Sequence, residues 1–315
     1  MTATPTVERH NRIDYTAAMG KQAVQQGPFK SVSIIGMGLL GTSLGLALKH
    51  QRLADKIIGV GRVGSPSLSI ARRRGAIDEA QTNPAAAAQS DLIVLATNIG
   101  VFPEILRAIA NGLAEQTIIT DVGSTKRQVC RWARDLLPRT ARFVGSHPMA
   151  GSEKRGPEFA RLDLYNNAVC FICAGKAGRL ELAAQRVEWM WRQVGMRTLR
   201  IRPQAHDRWV AAISHTPHAA AAALVNLIHA DAANLLRAAA GGFMDTTRVA
   251  SGDVDMWTDI FLTNRRAAGK SIRALVQLLQ GFERALRHDD QTAVRQFLQQ
   301  AKAIRDQLPP RHGGG

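Results

Sequence analysis

SVSIIGMGLLG, residues 31–41, decides the fold. Ser31 to Ile35 form a short β-branched run, the composition of a buried strand, and the run stops at a glycine. Gly36-Met37-Gly38-Leu39-Leu40-Gly41 then fits G-x-G-x-x-G, and TSLGLALKHQ (42–51) continues at helical spacing. Glycine triplets are common by chance, so the weight comes from the strand before this one and the helix after it. Gly36 permits the tight turn, Gly38 lets the backbone approach a pyrophosphate, and Gly41 allows the helix to pack closely on the strand. The helix N-terminus offers free N–H groups and a positive dipole end to phosphate. Residues 36–41, with Met37, Leu39 and Leu40 between the glycines, are therefore the expected dinucleotide loop.

Working outward, KIIGVGR (56–62), DLIVLAT (91–97), TIITDVG (117–123) and RFVGSHP (142–148) read as further strands. Helical stretches separate them: SPSLSIARRRG with Pro at its start and Gly75 at its end, Val101 to about Leu113, and STKRQVCRWARDLL. Short strands alternating with helices signal a doubly wound parallel sheet of the Rossmann type. NNAVCFICAG and MRTLRIR are the last strand-like runs, and from Gln204 to Leu308 the pattern is helical apart from a Gly/Ser/Asp-rich segment near 241–255. The expected organisation is a leader over 1–29, a dinucleotide-binding domain over 30–202, an all-helical domain over 203–309 and a tail over 310–315. A helical domain of that size has amphipathic helices that need more partners than one small bundle supplies, so a homodimer is expected.

Composition narrows the function. No apolar stretch approaches the roughly 18 residues of a membrane span, the N-terminal MTATPTVERHNRIDY lacks the apolar region of a secretory signal, and three cysteines are too few for a disulfide framework. A cytoplasmic protein is expected. The 41 basic and 25 acidic residues give a net charge of +16. The basic residues are spread along the chain without interleaved aromatics, a pattern that speaks against nucleic acid and is compatible with anionic small molecules. Cys170 and Cys173 have C-x-x-C spacing but lie in a strand-like run that puts them on opposite faces, and no second pair exists, so no metal is expected.

An NAD enzyme usually carries an acid at the end of its second strand to hold the ribose 2′-hydroxyl. Here that place reads Gly59-Val60-Gly61-Arg62-Val63-Gly64-Ser65, and the next acid is Asp78. Nothing there repels a 2′-phosphate, while Arg62 and Ser65 could bind one, which favours NADP; Arg62 stacking on the adenine would leave NAD acceptable. Thr97, Asn98 and Asp121, at the ends of the third and fourth strands in this reading, are further expected cofactor contacts.

Three segments carry the chemistry: Asp121-Val122-Gly123-Ser124-Thr125-Lys126, then Gly145-Ser146-His147-Pro148-Met149-Ala150-Gly151-Ser152-Glu153, then His206-Asp207 and His215-Thr216-Pro217-His218 with Arg248 and Trp257 beyond. The first two end strands, and in open α/β sheets ligands lie outside the carboxyl ends. Together with GMGLLG and GFMDTTRVASGDVDMW, in this order from about residue 31 to 265, these segments resemble the prephenate/arogenate (cyclohexadienyl) dehydrogenases of tyrosine biosynthesis.

The resemblance implies oxidative decarboxylation of a cyclohexadienol with hydride transfer to NAD(P), giving 4-hydroxyphenylpyruvate or tyrosine. It implies His147 as the acceptor that polarises the ring hydroxyl, a job neutral imidazole suits, and Ser124 as hydrogen-bonded to His147 or to that hydroxyl. Arg248 would bind a substrate carboxylate with its two-pronged guanidinium. His218, His215 and Glu153 would orient or gate the substrate and Trp257 would wall the pocket. Bland readings stand beside these: His218 as a satisfied core histidine, His215 and His206 as caps or helix bridges, Arg248 as an ion pair with Asp245. Lys154-Arg155-Gly156 departs from the family-like run and leaves prephenate against arogenate open. Two rivals remain, a β-hydroxyacid-type dehydrogenase with a catalytic lysine in its helical domain, and a non-catalytic protein binding NADP or nucleic acid.

Overall fold

The computed structural model describes residues 27–151, 154–175 and 178–308. The leader up to residue 26, the tail from 309 and Glu153 lie outside these. Eight strands form one sheet: β1 (Phe29–Ile35), β2 (Ala54–Val60), β3 (Glu79–Gln81), β4 (Leu92–Leu95), β5 (Ile118–Asp121), β6 (Arg142–Pro148), β7 (Val169–Cys173) and β8 (Arg197–Arg200). Their order is β3-β2-β1-β4-β5-β6-β7-β8. The chain moves outward from β1 in one direction and from β4 in the other, so the crevice beyond the carboxyl ends of β1 and β4 is the topological switch point where ligands bind.

Both faces of the sheet are covered, and side chains sort by strand alternation. Val32, Ile34, Leu92 and Val94 join a core with Leu44, Leu48 and Trp191. Ile35, Ile93 and Leu95 join the opposite core with Phe102, Leu106 and Val129. Double-sided burial is why these strands read as unbroken apolar runs. The flanking helices are α1 (Leu39–His50), α2 (Ser67–Arg73), α3 (Phe102–Ala110), α4 (Arg127–Leu136) and α5 (Gly178–Gln193).

Two features differ from the pattern in the sequence. Strand β3 is only Glu79-Ala80-Gln81, with no apolar run to announce it. And β7 pairs antiparallel with β6, while β8 runs parallel to β7, so the last two strands oppose the other six. Parallel neighbours need a crossover, normally a helix. Among the described residues between β6 and β7 the helical structure is a single 3₁₀ turn, Pro157–Phe159, and the chain simply turns back. Cys170 and Cys173 do alternate along β7, yet both are buried, because neither face of the sheet is open.

The helical part comprises α6 (Pro203–Val210), α7 (Thr216–Leu227), α8 (Ala232–Arg237), α9 (Gly241–Thr247), α10 (Val254–Thr263), α11 (Arg265–Arg287) and α12 (Gln291–Arg305). The 241–255 segment, expected to be irregular, holds α9 and a 3₁₀ turn at Arg248–Ser251. A π-helical turn, Ala211–His215, joins α6 to α7. Helix α10 ties the two parts together: Ile260 packs into the sheet's second core, Asp259 Oδ2 accepts the Gly100 amide at 2.8 Å, and the Thr263 and Thr125 hydroxyls meet at 2.9 Å.

Candidate active site

The phosphate loop forms as its residue types require. Gly36 has φ +107°, and a Cβ there would stand 2.6 Å from the Ala96 carbonyl group on β4's exit loop. Gly38 caps α1 in extended backbone, with no side chain bonded to the first-turn amides. A Cβ on Gly38 would meet nothing within 4 Å. The N-terminal amides of α1 are thus free and approachable, the arrangement that fits a pyrophosphate. Met37 belongs elsewhere: its side chain is buried in the core, so only its backbone can face a cofactor.

Gly38, Leu39 and Leu40 line one side of a cavity of about 600 Å³ between the sheet's carboxyl edge and the helical domain. Thr97 and Asn98 line it from the end of β4, Ser124 from the end of β5 and His147 from the end of β6. His215, Arg248 and Trp257 enter from the helical side. Strand ends and helices far apart in sequence thus converge on one space. Lys154 and Arg155 line it too, and Arg155 pairs with Asp253 across the mouth. Among the described residues that line it, three cations, Lys154, Arg155 and Arg248, stand against one carboxylate, Asp253, a balance suited to anions.

Arg62 and Ser65 follow β2, Arg62 exposed and Ser65 half-buried. The Ser65 hydroxyl hydrogen-bonds that of Ser67 at 3.0 Å, and no acid stands among these residues.

Several expected contacts do not line this cavity: Arg62 and Ser65 are absent from its wall, and so are Asp121 and His218. The Asp121 side chain is fully buried, ion-paired with Lys126 and accepting the Gly123 amide at 2.9 Å and the Ser146 amide at 3.1 Å. It braces the ends of β5 and β6 instead of touching a cofactor. His218 lies behind Trp257, the two rings stacked at 3.6 Å and 13°. It lines a second, shallower groove of about 380 Å³ that shares Trp257 and Gly252 with the first, and its Nδ1 has no hydrogen-bond partner among the described residues. The indole separates it from the main cavity.

His147 is 8% exposed and held by its back nitrogen. Its Nδ1 lies 2.9 Å from His206 Nε2, and His206 Nδ1 lies 2.8 Å from Asp207 Oδ1. Asp207 also accepts the Lys126 amide at 2.8 Å and the Arg127 amide at 3.0 Å, at the start of α4. No hydrogen bond joins Ser124 to His147 among the described residues, which leaves the substrate hydroxyl as the expected partner of Ser124; the side chain bonded to His147 is His206. From the far end, Asn264 Nδ2 donates to the Asp207 carbonyl at 2.8 Å and lies 3.2 Å from His215 Nδ1.

Burial pushes the His147 pKa well below the ordinary histidine value, and the nearby His206, Lys126 and His215 push the same way. Burial also lowers His206, against the pull of Asp207, and takes His215 down to about 4. The imidazole facing the cavity is neutral at pH 7. Sequence reading singled out His206-Asp207 without a role for the pair; Asn264, mid-domain and unremarkable in type, carried no signal at all.

A dinucleotide loop at a sheet's switch point, with a separate helical domain closing the far side of the cavity, defines a two-domain dehydrogenase. Residues 44–199 match the family model described as prephenate dehydrogenase, nucleotide-binding domain, and residues 202–300 match prephenate dehydrogenase, dimerization domain. The chain belongs to the prephenate dehydrogenase family. It is similar to the prephenate dehydrogenase of Bacillus subtilis, with 31% identity over 290 residues, 90% of this chain and 77% of that one. Among solved structures it resembles prephenate dehydrogenase from A. aeolicus in complex with hydroxyphenyl propionate and NAD+, at TM-score 0.80 and 31% identity, covering 89% of this chain and 98% of the other. It also resembles Synechocystis arogenate dehydrogenase, at TM-score 0.73 and 29% identity, covering 88% and 99%.

Proposed function

We propose that this enzyme oxidatively decarboxylates prephenate, or its amino counterpart arogenate, with hydride passing to NAD(P). The observation that carries the reading is His147: a neutral imidazole with its Nδ1 engaged behind it, in one cavity with the phosphate loop and three cations. The β-hydroxyacid rival needs a lysine in the helical domain, and neither Lys270 nor Lys302 lines this cavity.

Gly38 and the first-turn amides of α1 would hold the pyrophosphate, with Thr97 and Asn98 beside the cofactor. When bound, the nicotinamide supplies the hydride acceptor. His147 Nε2 accepts a hydrogen bond from the ring hydroxyl and stabilises the charge that builds on that oxygen as the C4–H bond breaks. Ser124, on the same wall, orients the hydroxyl. Arg248 holds a substrate carboxylate, with Lys154 and Arg155 adding to the positive field. The ring carboxylate leaves as CO₂ and its electron pair completes the aromatic ring, so the protein supplies orientation and a dry, polar wall while aromatisation supplies the driving force. Glu153 is proposed to gate the substrate.

The run after β2, without an acid and with Arg62 and Ser65, supports NADP over NAD. A homodimer through the helical domain is supported by α11, 23 residues long with Ala268 as its one buried residue, and by exposed Leu278, Leu279 and Leu298. Among the described residues no helix is long and apolar enough to cross a membrane. Three unpaired cysteines fit a reducing cytoplasm. Absorbance of reduced nicotinamide, followed with prephenate or arogenate and with NAD or NADP in all four pairings, tests the reading. Turnover with at least one pairing is expected, and its absence from all four would overturn it.

A further inference from the structure

We propose that His206 and Asp207 are positioning residues that fix the tautomer of His147, so that its bare Nε2 faces the substrate. The inference rests on the reading of His147 as the hydrogen-bond acceptor and adds what makes it one.

Asp207 already accepts two amides, from Lys126 and Arg127, and as a carboxylate it has only acceptor oxygens. At 2.8 Å its remaining partner, His206 Nδ1, must therefore carry the proton. A neutral His206 with its proton on Nδ1 has a lone pair on Nε2. At 2.9 Å that lone pair requires a proton on His147 Nδ1. In a neutral His147, Nε2 is then left unprotonated, the state needed to accept from a hydroxyl. A histidine side chain free in water prefers the opposite tautomer, with the proton on Nε2, which would offer the substrate a donor.

The relay also crosses the domain boundary. His147 ends β6, whereas His206 and Asp207 sit on α6, the first helix of the helical domain. The two amides capped by Asp207 begin α4, which is sheet-side. The acceptor is thus set only when the helical domain is seated. His206 is fully buried and packs edge-on to Phe171, at 5.2 Å between centroids, so the ring has little freedom to turn.

Two substitutions separate positioning from packing. In His206→Gln the side-chain carbonyl can still accept from His147 Nδ1; in His206→Leu the volume is kept and the acceptor is lost. The expected result is a kcat about 100-fold down in the Leu variant and within about tenfold of wild type in the Gln variant, with KM for both ligands little changed in each. Equal loss in the two variants, or loss confined to KM, would overturn the proposal. Nitrogen NMR of ¹⁵N-histidine protein without substrate or cofactor reads the tautomer directly. Wild-type His147 should carry its proton on Nδ1 and His206→Leu should shift it to Nε2. A wild-type proton on Nε2 would overturn the relay whatever the activity. Failure of all four substrate–cofactor pairings with the Nδ1 tautomer present would instead sink the proposed reaction and leave the relay standing.

Discussion

A Cβ placed on Gly41 would stand 2.0 Å from the carbonyl oxygen of Gly36. The turn after β1 and the first turn of α1 are in direct backbone contact, and only glycine leaves room for it. Gly38, two residues along the same loop, has open space around it and a backbone, φ −84° and ψ −158°, that alanine tolerates. The three glycines of one motif therefore serve different ends.

Alanine at the two positions should separate them. Gly41→Ala forces backbone apart and should destabilise the fold by about 3 kcal/mol or more. Gly38→Ala should leave the melting temperature close to wild type, within about 0.5 kcal/mol, yet weaken dinucleotide binding tenfold or more by occupying the pyrophosphate's place. Thermal melts and dinucleotide titration of both variants check this. Equal melting temperatures for the two would contradict the contact described.

Cofactor choice is expected to rest on Arg62. Arg62→Ala should lower kcat/KM for NADP by about tenfold or more, the worth of one charge-assisted phosphate contact, and leave NAD nearly untouched. An equal fall with both cofactors would mean that Arg62 stacks on the adenine and does not read the 2′-phosphate.

Acid should weaken the fold through the buried imidazoles. His147, His206 and His215 all have pKa values lowered by burial, so the unfolded chain binds protons first. The stability they confer is present above about 6.5 and is lost as pH falls through the folded-state values, which for His215 means down to about 4. His215 alone accounts for roughly 3 kcal/mol over that range. Denaturant melts between pH 7 and pH 4 should show stability falling, and a flat profile would contradict neutral burial. Activity should follow the same sense: the plateau extends below pH 6.5 and fails only when His147 takes up a proton.

Much of this was legible in the residues because local rules dominate there. The loop at 36–41, the strand ends carrying Ser124 and His147, and the alternation of strands with helices all follow from patterns a few residues long. What escaped was set by distant contacts. Strand β3 exists because β2 offers an edge, and β7 turns back because no helix carries it across. Asp121 ends its strand where a cofactor ligand would stand, but the Ser146 amide on β6, 25 residues on, holds it inward together with Lys126. His218 looked like a substrate contact until Trp257, nearly forty residues later, was found to cover it. The partner of His147 lies 59 residues away on another domain, a distance no local pattern spans.

The most direct test of the central claim is the turnover of His147→Asn beside wild type, with dinucleotide affinity measured on the same samples. The account predicts that turnover falls by about 100-fold or more, the scale of losing a positioned acid–base group, while the dinucleotide still binds as in wild type. Turnover within a few-fold of wild type, with the cofactor equally well bound, would contradict the assignment of His147 as the acceptor on which the reaction depends.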